Sequence, residues 1–148
     1  MIKILAGAVE QTGYNVYALC EKFGVDIVPI NLPESQLGAA SPETNTLFVN
    51  SSLLGRPLGR FVIAHGLVHL LHHKSDFFFM NADLADSSLL DRDATLTACE
   101  IAVRMYNKDK CNCMSCDATS VLSYFELPEC FYGDVQRAIL DFHQENKK

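Results

Sequence analysis

Two histidines four residues apart, His65 and His69, stand out in this 148-residue chain as groups able to do chemistry together. On a helix, positions i and i+4 differ by about 40° in direction and about 6 Å in height, so two imidazoles there can converge on one tetrahedral zinc ion. Their neighbours Phe61, Val62, Val68, Leu70 and Leu71 are those of a mostly buried helix. Histidines facing a core need partners for their ring nitrogens, and a metal with outer acceptors supplies them. The competing reading is two ordinary histidines at the edge of an apolar face. His73 lies about 12 Å along the axis from His65, too far to share an ion, so a third ligand must come from elsewhere.

The helix expected downstream carries Asp91, Asp93 and Glu100. Ala94, Ala98 and Ala102 form a stripe of small residues that lets this helix approach another closely, and Asp91, three residues before Ala94, continues the stripe. Asp93 and Glu100 point about 200° and about 180° away from Asp91 round the axis. Spacing therefore selects Asp91 as the acidic partner. Without the histidines, the reading for Asp91 is a surface acid favoured by the helix dipole in a first turn.

The elements that position these groups follow from periodicity and punctuation. Thr12-Gly13 closes a first short helix, Asn15 caps a second, and Gly24 ends it. Residues 25–30 are β-rich, and Pro29, lacking an amide donor, suits a strand end or sheet edge. Residues 31–44 read as loop with one short strand around Leu37–Ala40, and Thr46–Asn50 as another strand. A small antiparallel sheet of two or three strands is the expectation. Helical patterns run from Pro57 to about Lys74 and from about Ser88 to Tyr106, with two shorter ones near Thr119–Glu126 and Tyr132–Gln144. The absence of repeats, low-complexity tracts or linkers implies one domain over residues 1–148 and an α+β fold, mainly helical.

Of the six cysteines, Cys20 and Cys99 sit inside helical patterns, where a buried thiol behaves as a small hydrophobe. Cys111, Cys113 and Cys116, with Cys130 fourteen residues later, either form a separate zinc site or are free thiols. Their C-x-C-x2-C spacing is not that of a standard ribbon or knuckle. Lys108 and Lys110 beside them can lower a thiol pKa and make it redox-reactive.

A net charge of −6, with no basic cluster beyond Lys147–Lys148, argues against direct nucleic-acid binding. The two C-terminal helical patterns carry only Arg137 before those lysines, too little positive charge to anchor a recognition helix. No apolar run approaches the roughly 18 residues of a membrane helix, and the first residues lack a cleavage signal, so a cytoplasmic, unprocessed protein is expected.

The segment Asn45–His73, NTLFVNSSLLGRPLGRFVIAHGLVHLLHH, closely resembles the strand, helix and HExxH region of the ImmA/IrrE family of zinc metallopeptidase-like proteins. DRDATLTACEIAVRMY resembles that family's ExxAN-xFA helix, with Asp91 at the acidic ligand position. NVYALCEKFGVDIVPINLP and SVLSYFELPECFYGDVQRAI resemble the flanking elements, so the likeness spans nearly the whole chain. It implies a minimal zincin-like fold binding one zinc ion through His65, His69 and Asp91. In the family a glutamate follows the first histidine as general base, whereas this chain has Gly66, which has no proton acceptor and costs about 1 kcal/mol relative to alanine inside a helix. The acidic ligand is one methylene shorter than the family's glutamate, and Thr95 stands where asparagine or aspartate usually follows the alanine. Members of the resembled family, of phage or mobile-element type, are thought to cleave or otherwise inactivate a helix-turn-helix repressor, often encoded beside them. The resemblance therefore implies such a regulatory protein with impaired or absent peptidase activity. The alternative is a catalytically inactive binding module that regulates its partner without proteolysis.

Overall fold

The computed structural model describes residues 3–72, 78–81, 89–110 and 117–146, with side chains for 7–71, 94–110 and 117–144. Two short helices open the chain, α1 (Lys3–Gln11) and α2 (Val16–Lys22). Gly13 and Gly24 both take positive φ, 65° and 69°, at the ends of these helices. The Asn15 side chain accepts hydrogen bonds from the backbone amides of Tyr17 (2.9 Å) and Ala18 (3.3 Å), the capping role expected of it.

Three strands follow, β1 (Asp26–Ile30), β2 (Gln36–Ser41) and β3 (Thr46–Asn50). β2 and β3 pair antiparallel, while β1 lies on the far side of β3 and runs parallel to it. The sheet is thus mixed rather than purely antiparallel. β4 (Phe78–Asn81) adds an outer strand antiparallel to β2, giving the order β1-β3-β2-β4. β1 is an edge strand, where the missing amide of Pro29 costs least. β4 is a strand that the sequence reading does not include. A few apolar residues without clear alternation carry little strand signal until an existing edge offers them a ladder.

Across the sheet lies α3 (Pro57–His72), which packs against β2, β3, β4, α2 and α5. Residues 61–70 of α3 are all buried, as befits a helix apolar on every side. α4 (Leu89–Asp109) covers its outer face and runs one turn further than expected. α5 (Ala118–Phe125), capped by Asp117 through the Ser120 amide at 2.8 Å, and α6 (Tyr132–Asn146) close the layer against α4. One buried cluster draws side chains from α1 through α6, with Phe61, Ile63, Leu67, Ile101 and Phe125 among its fully buried members. This is the mainly helical α+β fold with a small sheet that the sequence implies. Among the described residues no helix is long and apolar enough to cross a membrane.

Candidate metal centre

The buried α3 carries His65 and His69 into the interior at 3% and 5% exposure. Their rings meet edge to face, with centroids 4.9 Å apart and planes at 67°. Phe61, one turn before His65, stacks on its ring at 6.2 Å and 27°, and Phe131 packs on Phe61 at 6.0 Å. These aromatic contacts restrict the rotation of the His65 ring. Gly66, at the position where the resemblance places a glutamate, is buried in the same turn of helix.

What faces the pair is α4. Ala94, Ala98 and Ala102 of the small-residue stripe are fully buried in this helix, which packs against both α3 and α6. The contact nearest the histidines comes from a neighbour of that stripe: Thr95 Oγ1 lies 3.3 Å from His65 Nε2, and both groups are buried. Sequence reasoning noted Thr95 only as a departure from a family pattern. Its four-residue spacing from Asp91 is the signal that would have joined it to the site.

Asp91 lies in α4, but its side chain falls outside the described residues. The helix period sets position 91 between the directions of Ala94 and Thr95, one turn earlier. α3 and α4 run antiparallel, since Arg60 meets Asp109 (2.9 Å) near one end and His65 meets Thr95 further along. A turn forward on α3, from His65 to His69, therefore corresponds to a turn back on α4, from Thr95 to Asp91. Burial pushes the thiol of Cys99 in α4 up, with smaller contributions from Asp134 of α6 and from Glu100.

Among the described residues no group of three His, Cys, Asp or Glu side chains that could hold a metal ion occurs. The donors that are placed, two imidazoles on adjacent turns of a rigid buried helix, are of the type zinc prefers.

The thiols are a separate matter. Cys111, Cys113 and Cys116, and with them any second metal site, lie outside the described residues, whereas Cys130 is exposed in the turn before α6. Cys20 is buried, and desolvation pushes its thiol up to about 12. Of the two lysines expected near the thiols, Lys108 donates to the Gly13 carbonyl at 2.8 Å and lies over the Tyr14 ring. Lys110 lies over the Tyr124 ring. A network unseen in the sequence ties α3, α4 and α5 together below the histidines: Arg60 donates to Tyr124 (2.8 Å), and Tyr124 donates to Asp109 (2.7 Å).

Comparison with protein families matches residues 20–102 to the IrrE N-terminal-like domain of the M78 peptidases. The matched span carries the sheet, the whole of α3 and α4 as far as Ala102. No curated protein and no solved structure matches the chain.

Proposed function

The chain belongs to the IrrE N-terminal-like family of M78 peptidases, and from that premise we propose that it is a regulatory zinc metallopeptidase-like protein acting on a helix-turn-helix transcriptional repressor, of the phage or mobile-element type. The observation that carries the metal reading is the buried, edge-to-face pair His65 and His69, opposite the close-packed face of α4. Zinc bound there by His65, His69 and Asp91 would supply Lewis acidity. The chain's own residues do the rest: Phe61 orients the first imidazole, α4 brings up the acidic ligand, and the surrounding core excludes solvent.

What the turn between the histidines lacks is a proton acceptor. Gly66 has no side chain to serve as general base, so peptidase activity is weak or absent. That same residue favours a second reading, in which the fold is kept as a catalytically inactive module that regulates its partner by binding. The acidic net charge of −6 suits a protein that meets a DNA-binding partner rather than DNA itself, in the cytoplasm.

Metal analysis and incubation with the repressor encoded nearest the gene test both readings. Stoichiometric zinc in the wild type, lost in His69→Ala, with repressor bound but not cut, is the expected result. Repressor cleavage with zinc-dependent turnover would overturn the assignment of weak or absent activity. Zinc absent from the wild type would remove the metal.

A further inference from the structure

Beyond the matched residues 20–102, where α5 turns into α6, lies a cavity of about 450 Å³ lined by Thr119, Leu122, Leu127, Glu129 and Tyr132. That volume falls within the range of ligand pockets, about 300–1,000 Å³. α5 ends at Glu126, whose φ of 60° turns the chain, and the Leu127 amide donates to the Leu122 carbonyl at 2.9 Å. Glu126 is paired with Arg56 at 2.6 Å, so the turn that forms one wall is tied to α3. Leu122 and Leu127 are both buried and give the cavity an apolar floor, whereas Tyr132, 46% exposed, stands at its open side. The polar groups around that floor are few: the Thr119 hydroxyl, the Glu129 carboxylate and the Tyr132 phenol.

Charge decides what such a cavity attracts. Residues 117–146 carry six carboxylates against the single guanidinium of Arg137, so their field favours a cation. Asp117 is engaged in capping α5 and Glu126 in its pair with Arg56. Among the described residues, the exposed Glu129 makes no hydrogen bond or ion pair through its side chain. We propose that this cavity docks an arginine side chain of a partner protein. The methylenes of the arginine lie on Leu122 and Leu127, and its guanidinium meets the Tyr132 ring and the Glu129 carboxylate. Arginine fits better than lysine because its planar, weakly hydrated head both stacks on an aromatic ring and forks onto a carboxylate. The cavity needs no metal. The proposal rests on the reading above only in taking the partner to be a DNA-binding protein, whose surface is rich in such cations.

The test titrates the isotopically labelled full chain with a blocked pentapeptide bearing arginine at its centre, and follows the backbone amide resonances. Shifts concentrated in residues 119–132 are expected, and the same peptide with citrulline, which keeps the shape and loses the charge, should bind about tenfold more weakly or worse. Glu129→Gln should weaken the arginine peptide by a similar factor, and Tyr132→Leu, which keeps the apolar wall and removes the ring, by about threefold. Both side chains are exposed, so neither substitution threatens the fold. Equal binding of the citrulline peptide, wild-type affinity in Glu129→Gln, or shifts that bypass residues 119–132 would overturn the assignment. Repressor binding is measured beside it. Arginine-peptide binding that Glu129→Gln abolishes upholds the cavity even where no repressor binds. Repressor binding that Glu129→Gln leaves intact, with no response to the peptide, overturns the cavity and leaves the repressor reading standing.

Discussion

The imidazoles of His65 and His69 meet edge to face, 4.9 Å between centroids, on a helix buried along the ten residues from 61 to 70. A helix so enclosed cannot expose one histidine without disturbing the core. Loss of either ring therefore disturbs the core and not a surface.

The first prediction concerns metal removal. An ion that binds only the folded chain stabilises it by mass action, by about 4 kcal/mol at a free concentration a thousandfold above Kd. Chelation is expected to lower the Tm of the wild type, and His69→Ala is expected to show the lower Tm with or without chelator. Thermal unfolding followed by circular dichroism measures both. Identical melting of the wild type in zinc and in chelator would contradict the site.

Gly59 sits where α3 crosses the short helical turn at Ser51–Leu53. A Cβ at this position would come within 2.2 Å of the Leu53 carbonyl oxygen, which is backbone and cannot swing away. Gly59→Ala is expected to destabilise by about 1–3 kcal/mol or more, despite the better helix propensity of alanine. Chemical denaturation with equal or greater stability in the variant would refute the close approach.

Asn50, at the end of β3, is 5% exposed. Its amide nitrogen donates to the carbonyls of Leu32, Pro33 and Gln36 at 3.2, 3.3 and 2.9 Å, while its oxygen accepts from the Ser52 amide at 3.2 Å. One side chain thus ties the loop before β2 to the turn before α3. Asn50→Ala strands these groups and is expected to cost roughly 2–3 kcal/mol. Hydrogen exchange should quicken first in residues 31–36, and a loss below about 0.5 kcal/mol would mean that the bonds contribute little.

Stability should fall at alkaline pH through Cys20. Its thiol has an ordinary value of 9.0 and is raised to about 12 by burial. Below pH 9 the thiol is neutral in both folded and unfolded chains, and its contribution is fully present. Between pH 9 and 12 the unfolded thiol ionises while the folded one does not, so stability is lost as pH rises, by an amount on the order of 4 kcal/mol. Urea unfolding midpoints over this window should decline in the wild type and decline less in Cys20→Ala. Native-state alkylation at pH 8 should spare Cys20, and rapid labelling there would disprove its burial.

Much of this molecule is written locally. Asn15, Gly13 and Gly24 mark helix ends because capping and positive φ are properties of single residues, and Pro29 marks an edge because it lacks a donor. The period of α3 put His65 and His69 on adjacent turns without any knowledge of what they face, and the alanine stripe of α4 marked residues that are buried. Other features depend on segments far apart in sequence. The parallel pairing of β1 with β3, the addition of β4 to the sheet, and the bond of Arg60 through Tyr124 to Asp109 are of this kind. The contact of Thr95 with His65 spans thirty residues, and its 3.3 Å is set by how deeply two buried helices pack. Residue types and helical spacing determined which groups can ligate. Only the packing of α4 on α3 decided which oxygen stands beside the first histidine, because that distance depends on the side-chain volumes between the helices and not on either sequence alone.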